Sequence, residues 1–398
     1  MEALRTRLDA LSSAQVPCPC RVYAGLGAPG PLSARHAEAT YARAQHLADG
    51  TVDRLPHFNT NPPSILRIVC AASWGRIDAL AGPMDSLPDD LASDLWRRVT
   101  GRLADPETLD LAERRQASTL LLRLGYPSAA ARIIGLADID PRTHRFDPAT
   151  AVEELMVLLR TTPDRELLEQ HALEVARNRA FDARTRTVMA TFVVVGNGRR
   201  GTDTPALRAA ADLALEAMHE VDLKAFARHL LHQTVHRAVA YLPFLRGDRT
   251  GTLEALHRGL EEQTRAHAEI SSPLDELSWI DHAFPLHETF ARTHLAFEDP
   301  EAAIRATDEL IELSPNDHRA WDARTSAFLA AGRPDQARDA LARIDPLGGL
   351  AVGKAHFLRG WFHEQAGEYD DARASYRRST RIDPTVPALR DALSRLGA

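Results

Sequence analysis

The feature that most constrains this 398-residue chain is a pattern that recurs three times near its C-terminus. Its turn positions are spaced 34 and 35 residues apart, at Glu298, Gly332 and Gly367. Each turn is followed by a small residue and then by a closing proline, at Ala303, Ala337 and Ala372 and at Pro315, Pro346 and Pro384. Glycine permits a tight turn, alanine permits two helices to approach closely, and proline ends a helix. The pattern therefore predicts stacked pairs of antiparallel helices.

Over residues 285–384 this pattern resembles the tetratricopeptide repeat, a 34-residue unit of two helices. The resemblance implies an all-α fold, a helical-repeat α-solenoid of antiparallel helix pairs. A degenerate copy is visible at residues 111–141, where Gly125, Ala130, Ala137 and Pro141 keep roughly the same places. Caps and apolar periodicity predict further helices at 152–161, 164–179, 182–195, 205–219, 223–242 and 252–268.

We expect three regions along the chain. Residues 1–63 would form an N-terminal helical cap or subdomain with irregular loops, and residues 64–284 would be degenerate helical repeats. Residues 285–398 would be the tetratricopeptide-like repeats, closed by a C-terminal capping helix.

Composition excludes several classes of function. The chain carries 48 basic and 55 acidic residues, a net charge of −7, so it lacks the basic surface of a nucleic-acid-binding protein. Its three cysteines cannot form a disulfide framework, and Cys18 and Cys20 are too close in sequence for the usual zinc knuckle. No apolar run is long enough for a membrane span. These features predict a cytoplasmic protein with no nucleic-acid or membrane partner.

One motif imitates a dinucleotide-binding loop. Gly196, Gly198 and Gly201 form G-x-G-x-x-G after an apolar run. However, Val188, Phe192 and Val195 recur at helical spacing, so we expect the run to be the end of a helix. Gly196 would stop that helix, and the next would begin only at Pro205. We therefore interpret the motif as a loop between helices.

Histidines are concentrated in one part of the chain, with nine of the 17 between His219 and His294. Four of the chain's histidines fall in helix positions that hold aromatic packing residues in the repeat, namely His287, His294, His356 and His363. We predict that these four rings pack between helices.

His229, His232 and His236 lie within about 60° of one another on one face of the helix predicted at 223–242. They face away from its apolar stripe, so we expect them in a groove or in solvent. Neighbouring pairs of these imidazoles could also bind Zn or another transition metal. The nearest further ligands in sequence would be Glu220, Asp281 or His282.

Two functions remain open. The resemblance implies a concave groove that binds a peptide or helix of a partner protein, as an adaptor or scaffold does. The residues expected to face it are Glu288, Arg292, Asp322, Ser326, Leu329, Lys354, Phe357, Trp361 and Glu364, and Phe357 and Trp361 could instead simply pack. The alternative is a metal-dependent enzyme or metal-binding protein that uses the three histidines. Whether the chain catalyses a reaction is left open by the sequence.

Overall fold

The computed structural model describes residue 103 and residues 106–123, 127–136, 139–162, 164–315, 317–344, 350–382 and 387–397. The predicted N-terminal region 1–63, the first part of the predicted degenerate repeats and all three cysteines lie outside these residues.

The regular structure in the described ranges is helical, and no strand occurs in them, which confirms the all-α prediction. A 3-10 turn at Pro106–Thr108 precedes the first helix whose bounds the structure describes. The α-helices are α1 Leu111–Arg123, α2 Pro127–Ile133, α3 Ala151–Thr161, α4 Arg165–Arg177, α5 Ala183–Arg199, α6 Pro205–Met218, α7 Ala225–Val239, α8 Tyr241–Leu245, α9 Arg249–Ala268, α10 Pro273–Ala296, α11 Pro300–Leu313, α12 His318–Ala330, α13 Pro334–Ala342, α14 Leu350–Gln365, α15 Tyr369–Ile382 and α16 Pro387–Arg395.

Several helix starts in the described ranges are fixed by local side chains. Asp182, Thr204 and Asp299 each accept a hydrogen bond from a backbone N–H in the first turn of α5, α6 and α11. Such a cap satisfies an N–H group that has no partner inside the helix, and it stabilises the helix by about 1 kcal/mol. Proline occupies the first helical position of α6 and α11, where its missing N–H costs no hydrogen bond.

Two prolines change helix bounds that the sequence predicted. The helix predicted at 223–242 ends at Val239, and the short helix α8 follows. Pro243 has no N–H with which to bond the Val239 carbonyl, so α7 cannot continue regularly. Pro285, in contrast, lies inside the long helix α10, so the first helix of the repeat placed at 285–384 begins earlier, at Pro273.

The described helices form two compact units. The first contains α1 to α9 and α10 as far as Thr293, and the second contains the end of α10 from His294 and α11 to α16. In the second unit, helices pair as α11 with α12, α12 with α13, and α14 with α15. None of the described helices is long and apolar enough to cross a membrane.

Alanine fills the closest contacts in the second unit, as the repeat pattern predicts. Ala303, Ala337 and Ala372 are all fully buried. A methyl side chain lets two helices approach closely, and the larger rings of Phe328 and Phe362 fill the space beside Ala303 and Ala337. The core of this unit thus alternates small and large residues.

The turn at Glu298 departs from the glycine found in the next two repeats. Its φ is +57°, and it is the only described non-glycine residue with a positive φ, whereas Gly332 and Gly367 have φ of +70° and +77°. An L-residue in this conformation brings its Cβ too close to the following carbonyl oxygen, at a cost of about 1–2 kcal/mol. The chain therefore has a strained turn between α10 and α11.

We predict that Glu298→Gly raises the free energy of unfolding by about 0.5–1 kcal/mol, because relief of the strain exceeds the entropy cost of glycine. Urea denaturation followed by circular dichroism measures the change. The matched control is Glu309→Gly inside α11, which we expect to lower stability by about 1 kcal/mol. Destabilisation by both substitutions would contradict the assignment of strain to Glu298.

Candidate functional site

The face predicted to bind a peptide is formed in the second unit by α12 and α14. Lys354 Nζ lies 2.7 Å from Asp322 Oδ1 and so connects the two helices. Both side chains keep substantial exposure, 50% for Lys354 and 29% for Asp322. Ser326 lies one turn further along α12, and its hydroxyl donates to the Asp322 carbonyl of the same helix. These three residues thus share an accessible polar surface, which we call the α12–α14 surface.

The aromatic residues of α14 divide between packing and exposure. Trp361 is 38% exposed, and its ring centroid lies 5.1 Å from that of Phe362. Phe357 instead packs against Tyr376 of α15, with centroids 5.6 Å apart. Trp361 is therefore the apolar residue that the α12–α14 surface offers to a ligand, whereas Phe357 belongs to the interior contact with α15.

Glu364 holds the end of the array together. The Tyr376 hydroxyl donates to Glu364 Oε2 at 2.6 Å, and Arg395 Nη2 of α16 lies 3.2 Å from the same oxygen. The hydrogen bond from Arg395, followed by that from Tyr376, lowers the pKa of Glu364. Burial and the bond to Glu364 raise the pKa of Tyr376. This predicted groove residue is thus already occupied by partners within the protein.

Of the three other predicted groove residues, Leu329 packs against the core of the second unit, and two lie in the first unit. Glu288 and Arg292 are one turn apart on α10, and Arg292 Nη2 lies 2.6 Å from Glu288 Oε1. Both line a cavity of about 380 Å³ that is formed by residues of the first unit.

The three histidines of α7 face α9, which differs from the groove or solvent expected for them. His229 Nδ1 donates to Glu262 Oε2 at 2.6 Å, and His232 Nδ1 lies 3.9 Å from the same oxygen. His232 Nε2 also donates to the Met218 carbonyl at 3.1 Å. The side chains of His229 and His232 are only 18% and 14% exposed. The helical periodicity of the sequence correctly placed the three histidines on one face of α7. What that face contacts depends on where α9 packs, which the sequence does not show.

Burial controls the protonation of this face. Desolvation lowers the pKa of His232 and His236, since the charged imidazolium loses its water. Burial alone would raise the pKa of Glu262, but the His229 hydrogen bond and the charge of Arg265 bring it below its usual value. On this face burial thus favours the neutral form of His232 and His236, and the partners of Glu262 favour its ionised form.

The carboxylate of Glu262 is a possible metal ligand that the sequence did not predict, because no local pattern links it to a histidine 33 positions away. The further ligands expected from sequence have other partners. Glu220 binds Arg179 and Arg186, and His282 Nδ1 donates to the Ser278 carbonyl. Within the described ranges, three ligand atoms come within 4.8 Å of one another only at His363, Glu368 and Asp371, which are half-buried or exposed. The metal site on α7 stays a prediction.

The histidines predicted to pack do so to different degrees. His356 is 5% exposed, and His287 accepts a hydrogen bond from Gln263 Nε2 at 3.2 Å while its ring tilts against Phe290. His363 is more accessible and donates from Nδ1 to Glu368 Oε2 at 2.6 Å. Packing is therefore confirmed for His287 and His356, while His363 forms a surface hydrogen bond.

The glycine motif begins inside α5, so its interpretation as a loop between helices is wrong for Gly196 and Gly198. The expectation that Gly196 stops the helix is wrong, because α5 runs on to Arg199. Gly201, with φ of +72°, follows the end of α5. A Cβ at Gly196 would come within 3.0 Å of the Glu169 carboxylate, and one at Gly198 within 3.0 Å of the Tyr241 ring. These two glycines let neighbouring side chains lie directly against α5.

The protein is a helical-repeat protein by its fold, and the family of its C-terminal segment follows from comparison. Two tetratricopeptide repeat models match it, one over residues 289–352 and the other over residues 353–386. Residues 289–386 are therefore tetratricopeptide repeats, as the turn and alanine spacing predicts. Repeat arrays of this class serve as scaffolds for protein interactions and use extended surfaces for binding.

A relative and two solved structures are similar to the chain. The small glutamine-rich tetratricopeptide repeat-containing protein 2 of Mycosarcoma maydis is 31% identical over 103 residues, which make up 25% of this chain and 28% of that protein. A monomeric mutant of IFIT1 with Gppp-AAAA is 11% identical, with a TM-score of 0.47, over 98% of this chain and 85% of that one. The Cut9–Hcn1 hetero-tetramer of APC/C is 13% identical, with a TM-score of 0.27, over 100% and 78% of the two chains. Neither structural likeness supports an inference about a ligand or partner.

We predict a stability change with pH that depends on His287. Burial lowers the pKa of His287 from 6.5 to about 4, so the unfolded chain binds this proton more readily than the folded protein. The stabilisation is complete above pH 6.5 and is lost as the pH falls toward 4, by about 1.4 kcal/mol per pH unit at most. Urea denaturation between pH 7 and pH 4.5 should show a steeper loss in the wild-type protein than in His287→Gln, which keeps an acceptor for Gln263. Equal slopes in the two proteins would exclude this contribution.

We also predict opposite effects for alanine at two helical glycines. Gly198→Ala should lower the free energy of unfolding by about 1–3 kcal/mol, because its methyl group would overlap the Tyr241 ring. Gly259→Ala in α9 is the matched control, since its Cβ would meet no atom closer than 3.4 Å. There the better helix propensity of alanine should raise stability by up to about 1 kcal/mol. Thermal and urea denaturation distinguish the signs, and a stabilised Gly198→Ala protein would refute the packing argument.

Proposed function

We propose that this chain is a cytoplasmic adaptor that binds an extended peptide of a partner protein on the α12–α14 surface. The observation that carries the proposal is Trp361, which remains 38% exposed, whereas Phe357, Leu358 and Phe362 of the same helix are buried or half-buried. Tryptophan is enriched among the residues that dominate binding energy in protein interfaces. A peptide with one apolar side chain over Trp361 would therefore gain most of its affinity there.

The neighbouring charges fit a peptide with mixed polarity. Asp322 and Lys354 form an exposed ion pair, and such a pair contributes only about 0–1 kcal/mol. A partner can therefore replace one member of the pair with its own charged group at little cost. Ser326 adds a hydroxyl beside Asp322 that can exchange its bond within α12 for one to a peptide.

The remaining predicted groove residues support this surface indirectly or lie elsewhere. Phe357 and Glu364 contact Tyr376 and so fix α14 against α15. Glu288 and Arg292 belong to the first unit. The proposed contact residues are thus Asp322, Ser326, Lys354 and Trp361.

We predict that Trp361→Ala weakens peptide binding at least tenfold, since removal of an interface tryptophan costs about 2 kcal/mol or more. Peptides are first selected from a displayed random library with the wild-type protein, and their affinities are then measured by fluorescence anisotropy. We expect the selected peptides to share an apolar residue flanked by polar ones.

The matched control is Tyr369→Ala, which removes a 55% exposed aromatic residue at the start of α15. It should leave the affinity within about twofold, because Tyr369 lies outside the α12–α14 surface. Equal losses in the two variants, or failure of the wild-type protein to select any peptide, would overturn the proposal.

A further inference from the structure

The first unit contains a cavity whose lining is strongly cationic. Its volume of about 380 Å³ lies within the range of about 300–1,000 Å³ typical of small-molecule sites. Three arginines reach it from three helices: Arg199 from the end of α5, Arg237 from α7 and Arg292 from α10. Glu288 is the one acidic residue in its lining and binds Arg292 at 2.6 Å. The lining thus carries a formal charge of +2.

Arg237 is the residue that most needs a ligand. Its guanidinium makes no hydrogen bond or ion pair with any residue in the described part of the chain. Protein surrounds it on most sides, while part of its surface stays accessible through the cavity. Burial lowers its pKa; the charges of Tyr241 and Glu288 partly oppose this effect, and those of Arg199 and Arg292 add to it. A cation that has lost water without gaining a partner is unfavourable, so an anion in the cavity would stabilise it.

Apart from three threonines, Thr252, Thr289 and Thr293, the rest of the lining is apolar and aromatic. Tyr241 and Phe244 of α8 form one wall, together with Leu245. The Tyr241 ring reaches this position because Gly198 has no side chain to exclude it from α5. A ligand that suits this wall has an organic body as well as a charged group, since ligand sites combine apolar walls with a few placed polar groups.

We propose that this cavity binds a small organic molecule that carries a phosphate group. A phosphate monoester carries a charge of about −1.5 to −2 at neutral pH, which matches the +2 of the lining. Arginine is suited to phosphate because its planar guanidinium donates two parallel hydrogen bonds to neighbouring oxygens. The organic part would lie against Tyr241 and Phe244. The site is separate from the α12–α14 surface and does not depend on the proposed peptide binding.

Isothermal titration calorimetry of the full chain tests the proposal, with phenyl phosphate as the probe. We expect one binding event per chain that weakens as salt is added, because the attraction is electrostatic. Inorganic phosphate should bind more weakly because it cannot contact the apolar wall, and benzoate should bind more weakly because it carries a single charge. Phenol, which is neutral, should show no binding.

Arg237→Gln should reduce the affinity for phenyl phosphate at least tenfold. Arg228→Gln is the matched control, since it removes an exposed arginine from the same helix away from the cavity, and it should keep the affinity within about twofold. Circular dichroism checks that the variants fold. If Arg237→Gln does not fold, Arg199→Gln at the exposed end of α5 replaces it, with an expected loss of about threefold or more.

Two outcomes would overturn the proposal. One is the absence of saturable binding of both phenyl phosphate and inorganic phosphate to the wild-type protein. The other is an equal loss of affinity in the cavity variant and in Arg228→Gln, which would show that net charge alone attracts the probe. Tighter binding of benzoate than of phenyl phosphate would show that the cavity prefers a carboxylate, and this would contradict the proposed ligand class.

Discussion

Neighbouring helices in this protein contact each other at positions where only glycine or alanine leaves enough space. The small residues at these contacts determine where the larger side chains can lie. A Cβ at Gly360 of α14 would lie 2.6 Å from the ring of Tyr376, which is fully buried against it. Because the ring lies there, its hydroxyl reaches Glu364, and Glu364 in turn binds Arg395 of α16. One absent side chain therefore permits one of the contacts that attach the last helix.

Close helix contacts also determine where buried charge is tolerated. Glu169 of α4 is 7% exposed and lies against Gly196, where it accepts hydrogen bonds from Asn197 and Arg200 of the α5 end. Such a contact excludes water, so each polar atom needs a protein partner. Glu262 follows the same rule, with His229 and Arg265 as its partners. At the contact between α4 and α5, Gly196 and Glu169 thus depend on each other, because the carboxylate occupies the space that a side chain at Gly196 would take.

Sequence signals predicted well what depends on neighbours along the chain. The turn at Gly332 and the cap at Asp299 act within a few residues, so the helices and the repeat register could be predicted from their spacing. Gly196 was misread as a helix stop, because its role depends on Glu169 of another helix. Likewise, the shared face of the α7 histidines could be predicted from periodicity, but its partner Glu262 could not. The candidate site was only partly predictable for the same reason. The repeat pattern shows which face of its helix a residue occupies, but it does not show which residue of another helix it contacts.

A charged residue accepts a ligand more readily when the ligand has fewer interactions within the protein to displace. Glu364 already binds two partners, and its side chain is only 16% exposed, so a ligand would have to replace both interactions. Lys354 and Asp322 are more exposed, and their mutual attraction is largely offset by lost hydration, so a ligand can separate them at small cost. Arg237 needs no displacement at all, because it has no hydrogen bond or ion pair to lose within the described residues. By this ordering the strongest site for an anion lies in the first unit, outside the tetratricopeptide repeats, even though the repeats gave the clearest signal in the sequence.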